Sequence, residues 1–114
     1  MDEFLPEWYV VRTQPKRERI AACALRDSLG LEVLCPLVKY QKVTRRGKVW
    51  WSEGMFPGYI FAKFSRREHG RSVRYAQGVL TVVQFGESVP SVPEYLIQRI
   101  SEQLGADEQL ILSH

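Results

Sequence analysis

Met55-Phe56-Pro57-Gly58-Tyr59-Ile60-Phe61-Ala62-Lys63-Phe64 is the stretch on which the fold turns. Its second half is rich in aromatic and β-branched residues and Pro57-Gly58 punctuates its start, so Tyr59–Phe64 reads as the strongest strand of the chain and as a central one. Upstream, Lys48–Ser52 reads as a strand returning from a hairpin tip at Arg46-Gly47, and Leu31–Arg45 as the outgoing strand or strand pair. Downstream, Ser65 caps a short helix reaching about Ala76, Gly78 ends it, and Val79–Phe85 forms another strand.

Further out, Trp8–Gln14 reads as a strand broken by Pro15. Lys16–Leu29 reads as a helix stopped by Gly30, with Ile20, Ala21, Ala24, Leu25 and Ser28 on its apolar or small face. Lys16, Arg17 and Arg19 then fall in the first turn, where the helix dipole disfavours cations, which points to a use for them. Ser91-Val92-Pro93-Glu94 has the spacing of a capping box. It opens a last helix carrying Leu96, Ile97, Ile100 and Leu104 on one face, closed by Gly105. Strands alternating with helices around a hairpin predict an α/β fold of the α+β sandwich kind, with helices packed on a mainly antiparallel sheet.

The length of 114 residues suits one domain. No apolar run approaches the ~20 residues that span a bilayer, and Met1-Asp2-Glu3 is unlike a secretory signal, so cytoplasmic residence is expected. Cys23 and Cys35 have neither CxxC spacing nor a neighbouring His; they read as buried thiols serving as small apolar residues, with no metal site. The net charge of +3 conceals an asymmetry: Val11–Arg74 holds fifteen Lys/Arg against five Asp/Glu, whereas from Glu94 onward four acids face Arg99 alone. Such a basic body suits an anionic partner, nucleic acid or an acidic protein face, or simply a solvated surface. GxSxG, GxGxxG, P-loop and HExxH patterns are all missing, which predicts a binding module rather than an enzyme, without cofactor.

From Trp50 to Tyr59 the aromatics are too dense for all to face a core. Trp50 and Trp51 are consecutive strand residues and point to opposite faces, so one of them is expected to be exposed or half covered. Phe56, Pro57 and Tyr59 either line a shallow apolar groove for a partner's helix or are core residues beside a turn.

The order of these pieces resembles the N-terminal domain of the NusG/RfaH family of transcription elongation factors across nearly the whole chain. The resemblance is carried by Trp8-Tyr9-Val10-Val11, Pro36, Arg46-Gly47-Lys48, Phe56-Pro57-Gly58-Tyr59, Gly78-Val79 and Phe85-Gly86. The hairpin, the Ser52-Glu53-x-x-Phe56-Pro57 segment and the spacing from Phe85-Gly86 to Val92-Pro93 are similar to specialised RfaH-like paralogues. The resemblance implies a four-stranded, mainly antiparallel sheet with a β-hairpin and about three flanking helices over residues 1–105. Residues 106–114 would begin a linker or tail, and the KOW domain that follows in the family would lie outside this chain. It also implies a monomer that docks on RNA polymerase and modulates pausing, processivity and termination or antitermination. Phe56, Pro57 and Tyr59 would receive the β′ clamp helices, Trp8 and Tyr9 would pack in the core, and His69, Arg71 and Ser72 would approach the β gate loop. Arg12, Lys16, Arg17 and Arg19 would lie toward non-template DNA. A second resemblance competes: Gly58–Phe64 is similar to the RNP1 motif of RNA-recognition modules, in which Tyr59 and Phe61 would stack on single-stranded RNA with Trp8-Tyr9 as the partner strand.

Overall fold

In the computed structural model, which describes residues 4–105 and 107–111, the chain runs β1 (Glu7–Thr13), α1 (Glu18–Leu29), β2 (Glu32–Leu34), β3 (Leu37–Thr44), β4 (Gly47–Gly54), β5 (Tyr59–Phe64), α2 (Arg66–Arg74), β6 (Val79–Val82), β7 (Ser91–Val92), α3 (Glu94–Glu102) and β8 (Gln109–Ile111). The main sheet has the path β2-β5-β1-β6, and the two-residue β7 also pairs with β1. All its pairings are antiparallel. β5 is an inner strand, as its apolar run predicts, and the four-strand path flanked by three helices is the expected sandwich.

Strand alternation builds two apolar layers from one sheet. Tyr9, Val11, Ile60, Ala62 and Phe64 pack against Ala21, Ala22 and Leu25 of α1 and Val73 of α2; the Tyr9 and Phe64 ring centroids lie 4.9 Å apart. On the reverse face, Trp8, Leu34 and Phe61 pack under Ile97 of α3. The Trp8 indole Nε1–H donates to Glu94 Oε2 at 2.9 Å, so the ring is buried without orphaning its polar atom.

Pro36 divides the outgoing Leu31–Arg45 stretch between two sheets. β2 joins the main sheet, while β3 and β4 form a long hairpin whose base is extended by β8, parallel to β3. At the tip, Arg45-Arg46 make the turn and Gly47 takes φ +103, the left-handed position such a loop demands. The hairpin projects from the body, and the molecule measures 52 × 27 × 27 Å.

Several expectations are corrected. α1 begins at Glu18 rather than Lys16, so a carboxylate occupies the favourable dipole end and Lys16 and Arg17 precede the helix. Its buried stripe is Glu18, Ala21, Ala22 and Leu25, whereas Ile20 and Ser28 are exposed, a rotation that brings Glu18 inward. Ser91 does not cap α3, because its backbone pairs with Tyr9 in the sheet; Pro93 holds the cap position with no side-chain hydrogen bond. Cys35 is buried but Cys23 is exposed. Trp50 and Trp51 lie on opposite hairpin faces and both are exposed. Of residues 106–114, expected to begin a linker or a C-terminal tail, Gln109–Ile111 form β8, and Glu108 binds both Arg26 and the Cys35 backbone N–H; residues 106 and 112–114 lie outside the described part.

Candidate partner-binding cleft

The turn Phe56–Tyr59 closes with a hydrogen bond from Tyr59 N–H to Phe56 C=O at 2.8 Å. Pro57 at its second position and Gly58 at φ +83 at its third are the chemistry of a type II turn. Two further bonds hold it. Thr13 N–H donates to Gly58 C=O at 2.8 Å, and Gly58 N–H donates to Glu18 Oε2 at 2.9 Å. A Cβ on Gly54 would stand 2.9 Å from that same carboxylate oxygen, so Gly54 gives Glu18 its room. The turn is thereby pinned to the end of β1 and the start of α1.

Pinned in this way, Pro57 and Tyr59 stand at the surface and line a cleft of about 610 Å³. Trp51 from the hairpin, Leu80 from β6, Pro15 and Leu37 add to its apolar lining. Arg12, Lys16 and Arg19 give it three cations against the carboxylates of Glu53 and of Glu18, the latter engaged with Gly58, and Arg19 Nη2 donates to Ser52 Oγ at 3.1 Å, tying α1 to the hairpin base. Lys16 takes φ +62, a conformation costly for a side chain other than glycine. An apolar floor with a cationic rim can accept an amphipathic helix with acidic flanks or a polyanion chain.

Of the residues singled out in the sequence, Pro57, Tyr59, Arg12, Lys16 and Arg19 meet in this cleft. Phe56 lies outside its lining, half exposed, with its ring edge-on to Phe61 at 5.6 Å. Arg17 is exposed just before α1 and also outside the lining. His69, Arg71 and Ser72 sit on α2, away from the cleft; His69 is half buried and the other two are exposed, with the Arg71 guanidinium 5.9 Å from the Tyr75 ring. Leu80 carried no signal in the sequence. The register of β1 against β6 shifts between Arg12 and Thr13, pairing Arg12 with Thr81 and Thr13 with Val79, so Leu80 is the bulged residue and is turned outward. The role of Glu18 was equally hidden, because Gly58 is 40 residues away.

Phe61 is only 8% exposed, beneath α3, and Trp8 and Tyr9 are buried. Of the rings that an RNP-like strand pair would stack on bases, Phe61, Trp8 and Tyr9 are therefore covered and Tyr59 alone is open, which counts against the RNA-recognition reading.

The sequence matches the family described as transcription termination factor NusG over residues 6–101. The chain belongs to the NusG family. This NusG-family domain is also similar in fold to a solved structure concerned with domain interaction in Thermotoga maritima NusG. That likeness has a TM-score of 0.57 at 20% identity, covering 82% of this chain and 54% of the Thermotoga chain. The chain thus spans about half the length of that relative. Among the described residues, no helix is long and apolar enough to cross a membrane, and no group of three or more His, Cys, Asp or Glu is placed to hold a metal ion.

Proposed function

We propose that this NusG-family domain binds RNA polymerase without catalysing a reaction and thereby modulates pausing, processivity and termination of transcription. The observation that carries the reading is the exposure of Tyr59 and Pro57 on a turn held by Glu18 and Thr13, a rigid apolar platform for the tip of the β′ clamp helices. Phe56, beside Phe61, extends the apolar surface beyond the cleft. His69, Arg71 and Ser72 on α2 would meet the β subunit, and a domain held on both sides of the main channel favours the closed clamp. The effect is a population shift, whose size equals the difference in affinity for the two clamp states. Arg12, Lys16 and Arg19 on the cleft, with Arg17 beside it, attract the phosphates of non-template DNA near the bubble; such contacts position a strand and do not read its bases.

The test is binding of the domain to a purified β′ clamp-helix fragment by calorimetry, with Tyr59→Ala and Phe56→Ala beside wild type and circular dichroism to establish folding. Micromolar or tighter binding, lost in both folded variants, supports the reading. Absence of wild-type binding, or binding indifferent to both substitutions, overturns it.

A further inference from the structure

Lys39, Lys42, Arg45, Arg46 and Lys48 lie on the β3–β4 hairpin, and no acid occurs from Lys39 to Ser52. Every residue from Gln41 to Glu53 is exposed. The register places Trp50 opposite Gln41 on one face and Trp51 opposite Tyr40 on the other. Each ring is covered by a lysine of its own face, Lys39 Nζ at 5.1 Å from Trp50 and Lys42 Nζ at 4.6 Å from Trp51. Cations therefore project from both faces and from the tip.

Charges along an open strand edge can serve only to prevent edge-to-edge pairing, and among the described residues β8 pairs with β3 as far as Lys39. Gatekeeping does not require two exposed tryptophans, one per face, each holding an ammonium group over its ring. A single-stranded nucleic-acid platform, for its part, gathers its rings on one face and leaves them open to bases. Neither description fits a ribbon whose two exposed rings lie on opposite faces, each with an ammonium group over it, and whose cations point both ways. The major groove of a duplex does fit: it is about 12 Å wide, admits a two-stranded ribbon whose strands are about 4.8 Å apart, and has phosphates along both walls.

We propose that the hairpin is a duplex-binding arm that enters the groove of double-stranded nucleic acid, with Lys39, Lys42, Arg45, Arg46 and Lys48 meeting phosphates on both sides. Recognition is of backbone and groove shape, indifferent to sequence. The arm is separate from the Tyr59 cleft and acts whether or not that cleft binds polymerase.

Fluorescence anisotropy of the whole chain with a labelled mixed-sequence duplex of roughly 20 base pairs, and with one of its single strands, tests this between about 50 and 200 mM salt. Wild type should prefer the duplex, with log K falling linearly against log salt. Changing the five hairpin cations to Gln should flatten that slope by about 3 to 4 and weaken binding at least ~10-fold at the lowest salt. A Lys39→Arg, Lys42→Arg, Lys48→Arg variant should bind like wild type, which separates lost charge from lost hairpin structure. The proposal is overturned if wild type does not bind the duplex, or if it prefers the single strand and loses it with Trp50→Ala and Trp51→Ala. It is equally overturned if the Gln variant binds the duplex unchanged, including the case where it now self-associates on size-exclusion chromatography, since the cations would then only guard the strand edges.

Discussion

Glu18 Oε2 accepts the backbone N–H of Gly58 at 2.9 Å, joining the first turn of α1 to the turn that presents Tyr59. Glu18 is 7% exposed, and a Cβ on Gly54 would stand 2.9 Å from that oxygen, too close to be accommodated without a shift. Glu18→Ala leaves the Gly58 N–H without its partner and is expected to cost about 1–3 kcal/mol, with Glu18→Gln, which keeps an acceptor oxygen, costing less. Urea denaturation orders the three proteins; equal stability of wild type and Glu18→Ala would refute the clamp.

Lys16 stands at φ +62 immediately before α1 and faces the cleft. Holding a side chain in that region costs about 1–2 kcal/mol, whereas glycine adopts it freely and gives back about 0.4–1 kcal/mol through its looser unfolded state. Lys16→Gly should therefore be at least as stable as wild type, and Lys16→Val clearly less stable, in thermal melts. A Lys16→Gly melting temperature well below wild type would contradict the strain.

Tyr59 and Phe61 point to the same side of β5, yet only Phe61 lies under α3. Phe61→Ala should open a cavity and destabilise by about 3–5 kcal/mol. Tyr59→Ala, changing a surface ring, should cost less than about 1 kcal/mol. Chemical denaturation of the two variants measures the contrast, and similar losses would mean that α3 does not cover the strand as described.

Burial pushes the Cys35 thiol from 9.0 up to about 11; the Glu108 carboxylate adds to the rise and Arg26 opposes it. The folded state thus holds a proton that the unfolded chain releases, so this contribution to stability is complete below pH 9 and is lost as pH rises toward 11. Cys35→Ala should lose less stability than wild type over that interval. At pH 8, a thiol reagent should modify exposed Cys23 and leave Cys35 unmodified until the protein unfolds. Rapid modification of both thiols in the native state would argue against this packing.

Much of the fold follows from local pattern. The Tyr59–Phe64 run, the Pro57-Gly58 turn, the Ser65 cap, which accepts the Glu68 N–H at 3.3 Å, and the stop at Gly30, φ +64, each rest on a few neighbouring residues. Those features depend on backbone preferences that act within a turn or two, so a single chain displays them. The site was legible in part: Pro57, Tyr59 and three of the four N-terminal cations do share a cleft, whereas Phe56 turns to Phe61 and the α2 residues lie elsewhere.

The sequence alone determined which residues form strands and turns, and that alternation gives the central strands two apolar sides. Only the tertiary structure decided which parts of those sides stay open. α3 covers Phe61 and leaves Tyr59 exposed, a bulge in the β1–β6 register turns Leu80 outward, and Glu18 swings inward to reach a backbone N–H 40 residues away. Period-two patterning places a side chain on a face; whether that face is covered depends on the docking of elements far apart in the chain, a choice that local preferences do not encode.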